Sequence, residues 1–517
     1  MSHNCGGLDS GMARQQRSFE LTLPPRAPNV PSYHWLRDTL RSEILRGGLK
    51  PGQRIPATRD FARQYGLSRG TVLAAIDDLR SEGYLYGLRG SGTFISKALP
   101  ERFLQTRAVA TSPVVRATKP LPRISDYAQR VEPFRHFIAP TSRAFRTNLP
   151  ALELFPTALW AQVASRRLRR LTSRQLVGCD PAGYEPLRHA VTHYLSSSRG
   201  VRCDVNQVVI VSGVQEALDL VARLLLNPGD RVLIEDPGYQ VAYGAFQAAG
   251  AKLVPVAIDE EGAAPQKQDF RNARLMYVTP GHQFPTGVTM PFTRRVDILH
   301  HAHEAGAFIF EDDHDSEYRY SGSPLPAMQG LDRNGIVMFA GSFNKVLFPS
   351  LRMGYMVLPP SLVDVFARTK ALVSRHHSVI DQAVVCDFIE LGHFGRHLRR
   401  TRKVYAERLG ALSHYARKHL AGFLELSKIE AGLQTVGWLV PGINAEAVSL
   451  AAADRNVDVV ALSRYRHKVD GPEGLQIGFA AVDEAAIEAG AKGLADALKA
   501  VAGSSPKKGG AAKNSPA

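Results

Sequence analysis

Phe308-Ile309-Phe310-Glu311-Asp312-Asp313-His314-Asp315-Ser316-Glu317, residues 308–317, runs a short apolar segment straight into a crowd of acids. Three apolar residues are too few for a buried helix and suit a strand covered on both faces. The acids behind it repel one another, which is costly unless a cation or a protonated nitrogen meets them. The same arrangement recurs on either side. Val208-Val209-Ile210-Val211 leads into Ser212-Gly213-Val214-Gln215, Val232-Leu233-Ile234 into Glu235-Asp236-Pro237-Gly238-Tyr239, and Ile336-Val337-Met338-Phe339 into Gly341-Ser342-Phe343-Asn344-Lys345. Leu275-Met276-Tyr277-Val278 and Tyr355-Met356-Val357-Leu358 complete the set, with helical stretches between most of them. Continuous rather than alternating hydrophobicity predicts parallel strands in an α/β domain, with ligands bound beyond the carboxyl ends of those strands.

Each strand end offers a different chemical group. Backbone amides after Gly213 open a helix, and with its dipole they make an anion cradle suited to a phosphate. Tyr239 sets a flat ring at the same edge, the acids after Phe310 supply a carboxylate, and Lys345 supplies an amine with Arg352 seven residues on. Together these suit pyridoxal phosphate. Its aldehyde forms a Schiff base with lysine, its protonated ring nitrogen calls for a carboxylate, and its phosphate calls for amides and Arg.

A smaller domain precedes this one. Ser32 is the expected cap of a helix with Tyr33, Leu36, Leu40 and Ile44 on one face, stopped by Gly47-Gly48. Thr58 caps a second helix that turns Phe61, Ala62 and Tyr65 inward and closes at Gly66. Ser68 caps a third that buries Val72, Ile76 and Leu79. The joint Tyr65-Gly66-Leu67-Ser68 is the tight turn of a helix-turn-helix, and Tyr84-Leu85-Tyr86 and Thr93-Phe94-Ile95 flank a Gly-rich, basic tip as a wing. Residues 31–97 carry eleven Lys and Arg against six Asp and Glu. Ser68, Arg69 and Thr71 begin the third helix, where side chains reach base edges; Arg59, and Arg89 and Gly90 on the wing, lie where phosphates or a minor groove would pass. The stretch "LKPGQRIPATRDFARQYGLSRGTVLAAIDDLRSEGYLYGLRGSGTFI" resembles the GntR family of winged-helix repressors.

Composition agrees with a multidomain, nucleic-acid-binding chain. The 517 residues hold 64 Lys and Arg against 48 Asp and Glu, a net charge of +16, and are 44% hydrophobic. That excludes wholesale disorder and a bare binding module. No apolar run approaches the ~20 residues of a membrane span, and the start has no secretory h-region. Cys5, Cys179, Cys203 and Cys386 are scattered, so neither a disulfide framework nor a zinc site is expected, and no metal; a reducing cytoplasm is. The expected divisions are a flexible tail over 1–30, a winged helix-turn-helix over 31–97, a basic Pro-containing linker over 98–133, a cofactor-binding domain over 134–501 and a disordered basic tail over 502–517.

Residues from about Phe155 to Ala480 resemble a fold-type I (class I/II) aminotransferase in the stretches "DPAGYEPLRHAV", "SGVQEAL", "EDPGY", "TPGHQFPTG", "EDDHDSEYRY" and "GSFNKVLFPSLRMGY". A winged helix joined to such a domain by a long linker resembles the MocR subfamily of GntR regulators. The resemblance implies that Lys345 holds pyridoxal phosphate as a Schiff base and that Asp312, with Asp313 its close competitor, pairs with the pyridinium nitrogen. Tyr239 would stack on the ring, while the Val214 and Gln215 amides, Ser342 and Arg352 bind the phosphate. Three departures stand out. Phe284 replaces an Asn that usually meets the cofactor's phenolic oxygen, leaving His282 or Gln283 to substitute. His314 replaces a Tyr; it can still donate to the phenolate, but its charge is expected to change near neutral pH. Gln476 stands where transaminases often keep a carboxylate-binding Arg, with Arg464 and Arg466 as alternatives. The implied function is a dimeric transcription regulator in the cytoplasm, on the nucleoid through its operator DNA. It would sense an amine, an amino acid or the cofactor through Lys345, with at most weak transaminase activity. The alternative is a working aminotransferase with an accessory DNA-binding module.

Overall fold

A computed structural model describes residues 19–88, 90–97, 123–131, 143–322 and 325–504. Arg89 and most of the expected tails and linker lie outside these residues. The chain divides into two units, Met1–Pro122 and Arg123–Ala517.

The first unit holds helices Ser32–Leu45, Thr58–Tyr65 and Arg69–Ser81 and a three-stranded sheet with Gly92–Ile95 between Arg54–Ile55 and Leu85–Leu88. Leu36, Leu40 and Ile44 of the first helix pack in one core with Phe61, Val72, Ile76 and Leu79. Each such side chain contributes about 1.5–3 kcal/mol when fully buried. Ser68 caps the third helix as expected, its Oγ accepting from the Thr71 amide at 3.1 Å. The other two caps are corrected: Pro31 and Ala57, not Ser32 and Thr58, precede their helices, and neither position makes a side-chain cap. A second difference concerns Phe19 to Leu23, part of the expected loose tail. Phe19 and Leu21 are buried in the same core, the Phe19 ring lies 5.5 Å from Phe61, and the Leu21 amide donates to Tyr65 Oη at 2.8 Å. An extended segment that buries two alternate residues is too short to show a period.

The second unit is built on an eight-stranded sheet. Its strands run Val208–Val211, Gly354–Val357, Val337–Ser342, Phe308–Asp313, Ala273–Val278, Arg231–Asp236, Lys252–Asp259 and Gly262–Ala263. From Val337–Ser342 to Lys252–Asp259 neighbouring strands are parallel. Gly354–Val357 instead runs antiparallel to both its neighbours, which corrects the all-parallel expectation. Its apolar run fixes burial but not direction, and the short connection from Ser342 leaves no room for the crossover helix that a parallel pair needs. Lys252–Asp259, outermost of the long strands and only partly buried, lacks a continuous apolar run. A separate antiparallel sheet orders Leu424–Leu426, Gln434–Leu439, Gly474–Gly478 and Val460–Ala461. Within the expected linker, Ser125 caps a short helix, Asp126–Arg130. It packs on the helix Gln240–Ala248, with Arg130 Nε donating to the Ala248 carbonyl at 3.0 Å. The last helix, Glu484–Ser504, continues past the expected boundary at 501. Among the described residues no helix is long and apolar enough to cross a membrane.

Candidate functional site

Successive residues of a strand face opposite sides of the sheet, and this separates the acids of 311–313. Glu311 accepts from the Met328 and Gln329 amides at 2.8 and 2.9 Å. Asp313 is taken by Arg199 Nε at 2.6 Å and by the Ser316 hydroxyl. Asp312 looks the other way. Tyr277 Oη donates to its Oδ2 at 2.7 Å, while Oδ1 is buried with no hydrogen-bond partner. Burial pushes the Asp312 carboxyl up to about 6, against the pull of Tyr277 and Lys345. A carboxylate oxygen left bare in the interior is a vacancy for one N–H donor, and a pyridinium nitrogen is such a donor.

Lys345 sits in the turn after Val337–Ser342, the strand beside that of Asp312. Its Nζ donates to Asn148 Oδ1 at 3.1 Å. Burial lowers its pKa although Asp315, Asp312 and Glu317 pull it up. A lysine held this way loses its proton more readily and is the better nucleophile.

The anion cradle forms around Gly213, the N-cap of the helix Val214–Leu225. Its φ of +94° suits only glycine, and an added Cβ would lie 3.4 Å from Asn344 Nδ2 and 3.7 Å from Arg352 Nη2. Arg352 Nη2 donates to Gln215 Oε1 at 2.7 Å, and the Asn344 amide to Ser342 Oγ at 3.1 Å. The start of the helix and the Arg352 guanidinium thus lie together around Gly213, a combination that suits a phosphate.

Aromatic rings line the remaining space. Phe284 lies edge-on to Tyr239 at 5.6 Å, to Tyr465 at 5.1 Å and to His314 at 5.9 Å. His282 Nδ1 and Asp315 Oδ1 are 2.8 Å apart, and His314 Nε2 is 3.4 Å from the same oxygen. Burial presses the His314 pKa down to about 3, against the raising effect of Asp315. The imidazole is therefore neutral at physiological pH, which corrects the expectation that it titrates near neutrality. Asp315 stays ionised, its pKa held below the ordinary carboxylate range against burial by its close contact with His282. Gln283 is consumed by its own turn: its Nε2 donates to Pro237 O and Phe284 O, and its Oε1 accepts from Thr286.

Neither alternative arginine is free for a ligand. Arg464 is forked onto Glu446, and Arg466 donates to the Gly471 and Pro472 carbonyls. Gln476 is wholly buried, with Oε1 accepting from Tyr465 Oη at 2.7 Å and Nε2 without a partner. Tyr277, Asn148, Gln434 and Tyr465 escape the sequence reading altogether. Tyr277 hides inside an apolar run, and Asn148 lies 197 positions from the lysine it meets.

In the first unit, Arg59, Ser68, Arg69 and Gly90 are exposed and Thr71 is half-buried, on the second and third helices and the wing. Ser68 Oγ and Thr71 Oγ1 are 2.8 Å apart, so both hydroxyls are partly engaged in the cap. Arg54 and Arg80, which the sequence reading did not single out, line a cleft with Gly90 and Thr93. Their guanidinium groups extend the basic face from the helix onto the wing.

Comparison with known proteins matches both units. Residues 154–494 match the family described as aminotransferase class I and II, and residues 33–95 the bacterial regulatory proteins of the gntR family. The chain is 37% identical to a probable rhizopine catabolism regulatory protein MocR of Rhizobium meliloti, over 92% of this chain and 95% of that one. It is 33% identical to the HTH-type transcriptional regulator TauR of Rhodobacter capsulatus, over 72% of this chain and 77% of that one. Among solved structures it is similar to LysN, the alpha-aminoadipate aminotransferase of Thermus thermophilus, complexed with N-(5'-phosphopyridoxyl)-L-leucine. The TM-score is 0.66 at 29% identity, covering 74% of this chain and 98% of that one.

Proposed function

Because the chain belongs to the MocR-type regulators, in which a gntR-family domain precedes a class I and II aminotransferase domain, we propose that it couples an amine-sensing site at Lys345 to operator binding. Pyridoxal phosphate, the cofactor of this fold, supplies an electrophilic carbon that amines attack. Lys345 Nζ would hold it covalently, and Asp312 Oδ1 would accept from its ring nitrogen. Tyr239 would pack on the ring, and the Val214 and Gln215 amides, Ser342 and Arg352 would hold the phosphate. His314, neutral in the physiological range, would offer an imidazole to the phenolic oxygen. The observation that carries the reading is the bare, buried oxygen of Asp312 beside the strand that delivers Lys345.

The DNA-binding part, residues 31–97 with Phe19, Leu21 and Leu23 packed on its core, uses Arg69, Ser68 and Thr71 for base edges and Arg59 and the wing, with Arg89 and Gly90, for the backbone. A homodimer would present two such domains to paired half-sites. The effector domain, residues 134–501, must bind its ligand unequally in two conformations, since equal affinity shifts nothing. A regulator is favoured over a working transaminase because Gln476 stands where a carboxylate-binding cation is expected.

Fluorescence anisotropy of DNA from upstream of the protein's own gene tests this reading, at fixed near-physiological salt, with and without pyridoxal phosphate and against a scrambled fragment. Tight binding that prefers the upstream fragment and moves with the cofactor is expected. Weak, salt-sensitive binding equal for both fragments would leave only a basic surface and overturn the reading.

A further inference from the structure

The wall facing Lys345 across the site is polar but uncharged. Lys345 Nζ meets Asn148 Oδ1 at 3.1 Å, and the Asn148 backbone N–H donates to Gln434 Oε1 at 2.8 Å. Gln434 pairs with Gly478 and Val436 with Gln476 across two antiparallel strands. That register places Gln434 and Gln476 on one face of the small sheet as diagonal neighbours. Gln476 in turn accepts from Tyr465, whose ring packs on Phe284, and Phe284 on His314. Neutral side chains therefore run from the lysine round to the cofactor's phenolic side.

Two features fix what this wall can receive. Gln476 Nε2 is buried and donates to nothing, so it calls for an acceptor, and as a neutral amide it brings no charge to balance an anionic one. The arginines that flank these residues in sequence are already engaged. Arg464 is on Glu446, Arg466 on two backbone carbonyls, and Arg146 lies 3.8 Å from Asp458. Three carboxylates, Asp315, Asp312 and Glu317, already bear on Lys345. A further carboxylate brought in by a ligand would be desolvated near the ionised Asp315, and none of these three arginines is free to meet it.

We infer that the ligand seated at Lys345 is a primary amine carrying a neutral hydroxyl or carboxamide in the position where amino acids carry a carboxylate. This rests on the amine-sensing reading given above. The Gln476 amide donates to the oxygen of that group, and Tyr465, Gln434 and Asn148 fix its orientation. Amino acids are excluded by charge, not by size.

Three compounds with one skeleton and different heads separate the possibilities: serine with a carboxylate, serinamide with a carboxamide, and serinol with a hydroxymethyl. Each is titrated into full-length, cofactor-loaded protein while the absorbance of the bound cofactor is followed. Serinol and serinamide are expected to bind at least about tenfold tighter than serine. Gln476→Arg should reverse that order by restoring a cation. Gln476→Leu, which keeps the volume but removes the donor, should weaken serinol and serinamide several-fold and leave serine unchanged. Should the arginine variant not fold, the leucine variant decides alone. Serine binding as tightly as serinol to the unmodified protein overturns the inference, and so does an order that neither substitution moves. Loading at Lys345 is checked separately, by borohydride reduction and mass measurement of the peptide containing it. A chain that takes up no cofactor there overturns the proposed function and this inference together, whereas a loaded chain that prefers serine overturns this inference alone.

Discussion

The two units handle charge in opposite ways. In the first, Arg59 and Arg69 stand exposed on adjoining helices. In the second, Asp312, Asp313, Asp315 and Glu311 are buried within five positions, each with a different partner. Exposed cations attract a polyanion from a distance through many small terms that salt screens. Buried carboxylates interact strongly with one specific partner at short range and with little else. The difference teaches why one chain can read a long, uniformly charged polymer with its surface and a single small molecule with its interior.

Lys345→Ala gives the largest expected effect and separates the two modes most sharply. Covalent cofactor loading, followed by absorbance, should disappear, while the affinity for operator DNA without cofactor stays within about 0.5 kcal/mol, as for sites that share no partner. Loss of folding in circular dichroism would break the picture of independent units. Asp312→Asn comes next. It removes the charge partner of the pyridinium nitrogen, and pyridoxal phosphate affinity should fall by about 3–5 kcal/mol in equilibrium dialysis.

The same substitution should act oppositely on the cofactor-free protein. The Asp312 pKa is about 6 in the fold against an ordinary 3.8. The folded state thus holds its proton longer, and its contribution, full below about pH 4, is lost as pH rises through 6. Cofactor-free Asp312→Asn should therefore be more stable than the parent by roughly 3 kcal/mol at pH 8, with no such advantage at pH 4, as read from urea unfolding. An equal difference at both pH values would show that the buried charge is not its source.

Smaller effects belong to the exposed side of the comparison. Arg69→Ala should cost about 1–3 kcal/mol on the preferred operator and relax sequence preference at one position, measured by competition anisotropy. A loss equal on all sequences would reassign Arg69 to the phosphates. Arg59→Ala should weaken all DNA alike and reduce the salt slope by about 1. Should Arg59→Ala instead alter sequence preference, the division between backbone and base contacts would fail.

Much of the site was legible because its groups follow strands of continuous hydrophobicity. Gly213, Tyr239, Asp312 and Lys345 each stand a few residues past an apolar run, and the sheet gathers such positions at one edge. The small sheet was not legible. Its strand Leu424–Leu426 has three residues and Val460–Ala461 two, and Gln434 and Gln476 interrupt the other two. The segment before the first helix escaped for a related reason, since Phe19 and Leu21 become core only when Phe61 and Tyr65 arrive from the second helix.

By itself the sequence determined the order of the two units, the winged helix-turn-helix and the lysine, acid, ring and phosphate cradle, because each is written within a few consecutive residues. It favoured Asp312 over Asp313 only by resemblance, and it could not fix the direction of Gly354–Val357, set the protonation of His314 or find the partners of Arg464, Arg466 and Gln476. Those depend on the tertiary structure. Arg199 reaches Asp313 from 114 positions away and leaves Asp312 Oδ1 without a partner, and Glu446 engages Arg464. Burial by several separate segments holds His314 neutral. A partner's distance and a group's desolvation depend on where the whole chain runs, and no local pattern records that.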